Sequence, residues 1–120
     1  MSHIESATRD RIRELNDAFR RGERPDLGRV VITSGVQELV AATPSAQLGI
    51  LQAVQRFDDF AQDNDPNGEH DFGSFKHAGE RCFWKLDYYD RSLKHGSEDP
   101  SDPTQTTRLL VHHCCQYTTY

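Results

Sequence analysis

Apolar positions along the chain change period several times, and each change marks an element. Ile12, Leu15, Ala18 and Phe19 fall at helical spacing and predict an amphipathic helix from about Ser2 to Arg21. Glu5/Arg9, Arg13/Asp17 and Asp17/Arg21 are i,i+4 pairs on its polar side, and Gly22 suits its end. Gly28-Arg-Val-Val-Ile-Thr33 is β-branched and predicts a strand. Ser34 can cap a short helix through Val40. Thr43-Pro44 reads as an N-cap with proline at the first helical position, opening a helix to about Ala61 with Ile50, Val54, Phe57 and Ala61 on one face.

After a polar loop from Asp63 to Gly73, alternation takes over. Phe72 to His77 predicts a strand, His77-Ala-Gly-Glu80 a hairpin turn, and Arg81 to Asp90 a second strand. Period two puts Cys82, Trp84, Leu86 and Tyr88 on one face and Arg81, Phe83, Lys85, Asp87 and Tyr89 on the other. Ser92 to Asp102 is again a loop. Asp102-Pro103-Thr104-Gln105 has the form of a helix start, which would place Leu109, Leu110, His113, Cys114 and Tyr117 on one helix face; a strand is the alternative for this last segment. The expected fold is α+β: one domain over 1–120, with a small antiparallel sheet of about three strands, built on Val30, Phe75 and Trp84, against two to four helices.

Composition narrows the functional classes. Hydrophobic residues make up 35% and mean hydropathy is -0.78, which predicts a small core with extended polar loops. The net charge of -5 argues against non-specific nucleic-acid binding. The charge is concentrated: Met1 to Phe57 carries +1, Asp58 to Asp102 carries -7, and the remainder adds only Arg108. The arginines Arg9, Arg11, Arg13, Arg20, Arg21 and Arg24 could face DNA from the first helix, but Asp10, Glu14 and Asp17 interrupt them. Cys82, Cys114 and Cys115 are odd in number and two are adjacent, so they read as reduced thiols of a cytoplasmic protein. Neither a signal-peptide core nor a membrane-length apolar run is present in the sequence.

Four groups of residues could carry chemistry. Asp63, Asp65 and Asn67 sit at positions one, three and five of a calcium-type loop, with Gly68 at six, but Ser74 occupies position twelve, where a bidentate glutamate belongs. Asp87-Tyr-Tyr-Asp90 combines carboxylates with aromatic rings; Tyr89 and Phe83 are its better surface candidates. Ser97-Glu-Asp-Pro-Ser-Asp-Pro103 is a second acidic loop that could join the first in holding magnesium or a related hard cation, with His70 or His77 as a general base. His112-His-Cys-Cys115 has metal-ligating residue types, but neighbours diverge on a helix, so no metal site is expected there.

The strings Asn64-Asp-Pro-Asn-Gly-Glu-His-Asp-Phe-Gly73, Phe83-Trp-Lys-Leu-Asp-Tyr-Tyr-Asp90 and Gly96-Ser-Glu-Asp-Pro-Ser-Asp-Pro103, followed by Thr107-Arg108, resemble the bacterial domain of unknown function thirty-seven sixty-eight over roughly Gly28 to Tyr117. The resemblance implies small cytosolic proteins, often carried by plasmids and phage-like elements, and names no activity. His112 to Gln116 departs from the family's more aliphatic run. Together with the acidic segment, it leads to the expectation of a protein-interaction module of a mobile element, such as an inhibitor of CRISPR or restriction. Its acidic, tyrosine-bearing surface (Asp63, Asp65, Glu69, Asp71, Asp87, Tyr89, Asp90, Glu98 and Asp99) would occupy a basic groove of a host nucleic-acid-binding complex. No cofactor is expected on that reading. The alternative is a hydrolase or binding protein using calcium or magnesium, with Asp63, Asp65, Glu69 and Asp71 as ligands and His70 as base. Oligomeric state is open.

Overall fold

The computed structural model describes residues 3–77 and 79–114, with side chains over 6–77 and 79–113. The elements run α1 (His3–Arg20), a 3₁₀ turn (Pro25–Leu27), β1 (Gly28–Ile32), α2 (Ser34–Ala42), α3 (Ala46–Gln55), β2 (Phe72–His77), β3 (Glu80–Tyr89) and β4 (Thr107–Cys114). The fold is α+β, as the periodicities predict. Its sheet has four strands in the order β1-β4-β3-β2, with β1 parallel to β4 and the other pairs antiparallel.

The inner face of the sheet is the face that alternation selects. Cys82, Trp84 and Leu86 of β3 and Leu110 of β4 are buried against Leu15 and Phe19 of α1, Val36 of α2, and Ile50 and Val54 of α3. Trp84 is fully buried, with Phe57 and Phe60 edge-on to its ring at 5.6 and 6.1 Å. Gly73 faces Trp84 across the β2–β3 ladder, where a Cβ would come within 2.5 Å of the indole nitrogen.

Three expectations are corrected. The last segment is a strand, β4, not a helix. The Asp102 carboxylate that suggested a helix cap instead closes a turn. Its Oδ1 accepts from the Thr104 amide at 2.9 Å, and its Oδ2 from Gln105 at 2.8 Å. The run that follows then takes the central place between β1 and β3. Tyr117 lies outside the described residues. Secondly, α3 stops at Gln55, short of Ala61, where the buried Arg20 guanidinium takes its last two carbonyls and one beyond them: Nη1 donates to Val54 O at 2.9 Å, Gln55 O at 3.3 Å and Phe57 O at 2.9 Å. Thr43-Pro44 accordingly ends α2, with the Thr43 amide bonded to Leu39 O, and does not open α3. Thirdly, Cys82 is disulfide-bonded. It stands opposite Cys114 in the β3–β4 ladder. Three reduced thiols therefore do not describe this chain, and the argument for a reducing compartment lapses. Cys115 lies outside the described residues. Among the described residues no helix is long and apolar enough to cross a membrane.

Candidate functional site

The two acidic loops converge, and what they converge on is a buried polar node. Asn16 sits in line with Ile12 and Arg20 on α1 and is fully buried. Its amide nitrogen donates to Glu69 O at 3.0 Å and to the Tyr88 hydroxyl at 2.8 Å, and its Oδ1 accepts from Arg108 Nε at 2.7 Å. Tyr88 in turn donates to Glu69 Oε1 at 2.7 Å. Arg108, fully buried on β4, reaches the second loop through Nη2 to Pro100 O at 2.7 Å and lies over the Tyr88 ring. Burial lowers the pKa of Arg108 and, with the Glu69 hydrogen bond, raises that of Tyr88. These hydrogen bonds tie α1, β3, β4 and both loops together, so the node acts as a brace.

A second network lies beside it. Asp17 accepts from Arg20 Nη2 at 3.1 Å and stands 2.9 Å from His70 Nδ1. The His70 ring is stacked on Phe60 at 3.7 Å, and its Nε2 is 3.7 Å from Asp65. Both ring nitrogens thus face carboxylates, and His70 serves as a packed link between loop and helix. The backbone makes the same choice: His70 adopts φ 56° and Gly68 φ 68°, which turns the loop back onto α1.

The nine carboxylate and tyrosine positions singled out by sequence divide into four groups. Asp65 and Glu69 point inward, the former accepting from the His70 amide at 3.1 Å. Asp90 and Asp99 hold their own loops: Asp90 accepts from Ser92 Oγ at 2.7 Å, which with the Lys94 amide lowers its pKa, and Asp99 accepts from the Ser101 amide and hydroxyl. Asp71, Asp87 and Tyr89 are half-buried at the end of the sheet where β3 finishes, while Asp63 and Glu98 are exposed away from them. Burial and the nearby Glu69, Asp65 and Asp87 carboxylates raise the Asp71 pKa. Lys85 approaches Asp87 at 3.2 Å. Among the described residues no three His, Cys, Asp or Glu side chains are grouped to hold a metal ion. On α1, Arg9 and Arg13 pair with Asp10 and Arg20 is buried, so the arginines present no common face.

The outer face of the sheet is the other feature of note. Phe72 and Val31 are exposed, and Phe83, Leu109, Val111 and His113 are half-buried. Phe72, Phe83 and His113 form a row with ring separations of 5.7 and 4.7 Å. Asp87 and Tyr89 lie on this same face, at its acidic end. Sequence reasoning placed Phe83 and Tyr89 there; it missed Phe72, Val31, Leu109 and Val111, because joining them requires the strand order and the β4 assignment.

Fold and site together define an α+β domain whose loops are braced by buried arginines and whose sheet carries aromatic and aliphatic side chains on its outer face, interspersed with Lys76, Arg81 and Lys85. The chain belongs to the family described as "Protein of unknown function (DUF3768)", which it matches over residues 32–112, more than half its length. That span contains every loop motif and ends at His112, short of Tyr117. No curated protein and no solved structure matches it.

Proposed function

We propose that the chain is a protein-binding module whose contact surface is the outer face of the sheet, centred on Phe83 and bounded by Asp71, Asp87 and Tyr89. The supporting observation is the row of Phe72, Phe83 and His113 across β2, β3 and β4, with Val111 and Val31 beside it in the β4–β1 register and Lys85 among them. An outward sheet face is ordinarily polar, and a contiguous apolar patch rimmed by charge is the usual mark of a docking site. Aromatic rings at its centre and charge at its edge follow the anatomy of interfaces. The acidic end fits a partner with basic residues beside an apolar contact, as a nucleic-acid-binding host defence complex in the cytoplasm would offer. The wider acidic surface is reduced on this proposal to Asp71 and Asp87 beside Tyr89, since Asp65 and Glu69 point inward and Asp90 and Asp99 hold their own loops.

The test is affinity capture from a host lysate over a salt series, with Phe83→Asp and Tyr89→Ala beside the unaltered chain and Glu98→Gln as control. Capture should weaken with salt, fail with Phe83→Asp and persist with Glu98→Gln. Equal capture by the Phe83→Asp protein excludes this face.

A further inference from the structure

On the opposite side of the sheet, between β1, α2 and α3, lies a cavity of about 390 Å³ lined by Val30, Ile32, Val36, Ile50, Leu51 and His112, with Gln37, Val40 and Gln47 completing its wall. It arises because β1 is an edge strand whose inner residues outrun the helices: Val30 keeps half its surface exposed although it faces the core side, and Leu51 is 38% exposed at the same mouth. The volume is that of a small-molecule site, and the wall is mainly apolar with few polar groups, as such sites are.

His112 makes this more than a packing gap. The side chain is 97% buried, being only 3% exposed, and its Nε2 finds no hydrogen-bond partner among the described residues. A buried polar atom left unpaired costs stability, so a group that pairs with it is favoured strongly over one that cannot. Burial lowers the imidazole pKa, which favours the neutral ring. No charged residue lines the cavity, so a carboxylate or an ammonium ion would enter without a counter-charge. Gln37 is already engaged, donating to Ile32 O at 3.2 Å. Gln37 and Gln47 are exposed to water at the rim, so the buried polar atom left to satisfy is one imidazole nitrogen, and a hydroxyl can do so in either tautomer because it both donates and accepts.

We propose that this cavity binds a small uncharged molecule with an apolar body and one hydroxyl, a phenol or a short aliphatic alcohol, which hydrogen-bonds His112 Nε2. Nε2 has no exposed surface in the unliganded structure, so the proposal includes a turn of the imidazole that presents this nitrogen to the cavity. The site is independent of the outer sheet face, so either proposal can fail alone.

The experiment is calorimetric titration of the full chain with 4-propylphenol and, as the isostere lacking a hydrogen-bonding group, propylbenzene, together with imidazole ¹⁵N spectra. The phenol should bind saturably and propylbenzene about tenfold more weakly, the worth of one buried hydrogen bond. The His112 nitrogen resonances should move with phenol. His112→Phe should erase the difference between the two probes, and Leu51→Trp, at the exposed mouth, should weaken both. The absence of saturable phenol binding, equal binding of the two probes, or discrimination that persists in His112→Phe overturns the proposal. Should His112→Phe fail to fold, the resonance shift and the Leu51→Trp variant decide: an unmoved His112 signal, or unchanged binding in Leu51→Trp, is equally fatal.

Discussion

Arg108 and Asn16, 92 residues apart in sequence, share a hydrogen bond of 2.7 Å in the interior, and through it the first helix is tied to the central strand. The guanidinium has few other partners: Nη2 reaches Pro100 O, while Nη1 has none among the described residues. Asn16→Ala removes the acceptor from a buried cation and the donor from Glu69 O and Tyr88. The expected cost is about 3 kcal/mol, within the range for leaving a buried charge underpaired. Urea unfolding measures it, and a loss below about 1 kcal/mol contradicts the bracing role.

Arg20 caps α3 from a distance. Arg20→Lys keeps the charge but cannot span three carbonyls and Asp17 with a single ammonium. A loss of about 2–4 kcal/mol is expected, from a buried charge left with fewer partners. Hydrogen exchange should quicken first at the amides near the end of α3. Arg24→Lys is the comparison. Its pairing with Asp26 is at the surface, and the substitution should leave the unfolding midpoint unchanged.

The Asp71 carboxyl titrates above its ordinary value of 3.8, through burial and then the neighbouring carboxylates. The folded state therefore holds that proton more tightly than the unfolded chain does. The resulting stability is fully present below pH 3.8 and is lost as pH rises through the folded value. Asp71→Asn should raise the melting temperature at pH 7, and the advantage should vanish at pH 3. A variant no more stable than the parent at pH 7 counts against the carboxylate crowding.

His112 carries the opposite sign. Its pKa is lowered by burial from 6.5, so the neutral ring favours the folded state at pH above 6.5, and that contribution fades as pH falls through the folded value. Replacing it with phenylalanine should flatten the acid limb of a plot of stability against pH. An acid limb of unchanged slope refutes the assignment.

Gly73 and Gly79 separate two reasons for glycine. A Cβ on Gly73 would lie 2.5 Å from Trp84 Nε1 and 2.6 Å from Phe57 Cζ, so Gly73→Ala should cost about 1–3 kcal/mol by overpacking. At Gly79, in the hairpin turn, nothing lies within 4 Å and only the positive φ of 82° opposes a side chain. Gly79→Ala should cost about 1–2 kcal/mol, the penalty of the left-handed conformation, and should leave the Trp84 emission maximum unshifted. A shift there, or none in Gly73→Ala, contradicts the packing account.

Periodicity made much of this fold legible. The α1 stripe, the β2–β3 hairpin and the facing of Trp84 and Tyr89 follow from spacing alone. What escaped depends on partners far along the chain. β4 was hidden because Asp102, Pro103, Thr104 and Gln105 imitate a helix start, while the strand's place is decided by β1, some 80 residues earlier in the register of Gly28 with Arg108. The loop carboxylates looked like a surface because local sequence cannot show that Glu69 has Tyr88 and Asn16 waiting inside. One sign was visible. Asn16 and Arg20 fall four and eight residues after Ile12, so two polar side chains lie along an apolar stripe. Read that way, they mark α1 as the supplier of buried hydrogen bonds.

The matched family span begins at residue 32, yet Asn16, Asp17 and Arg20 precede it. A fragment excised at that boundary would strand Arg108 without its amide acceptor, leave His70 without Asp17, and open the final carbonyls of α3 to water. Part of the polar network that holds the matched span together thus comes from outside it. In this chain, then, three side chains outside the matched span set the shape of loops inside it.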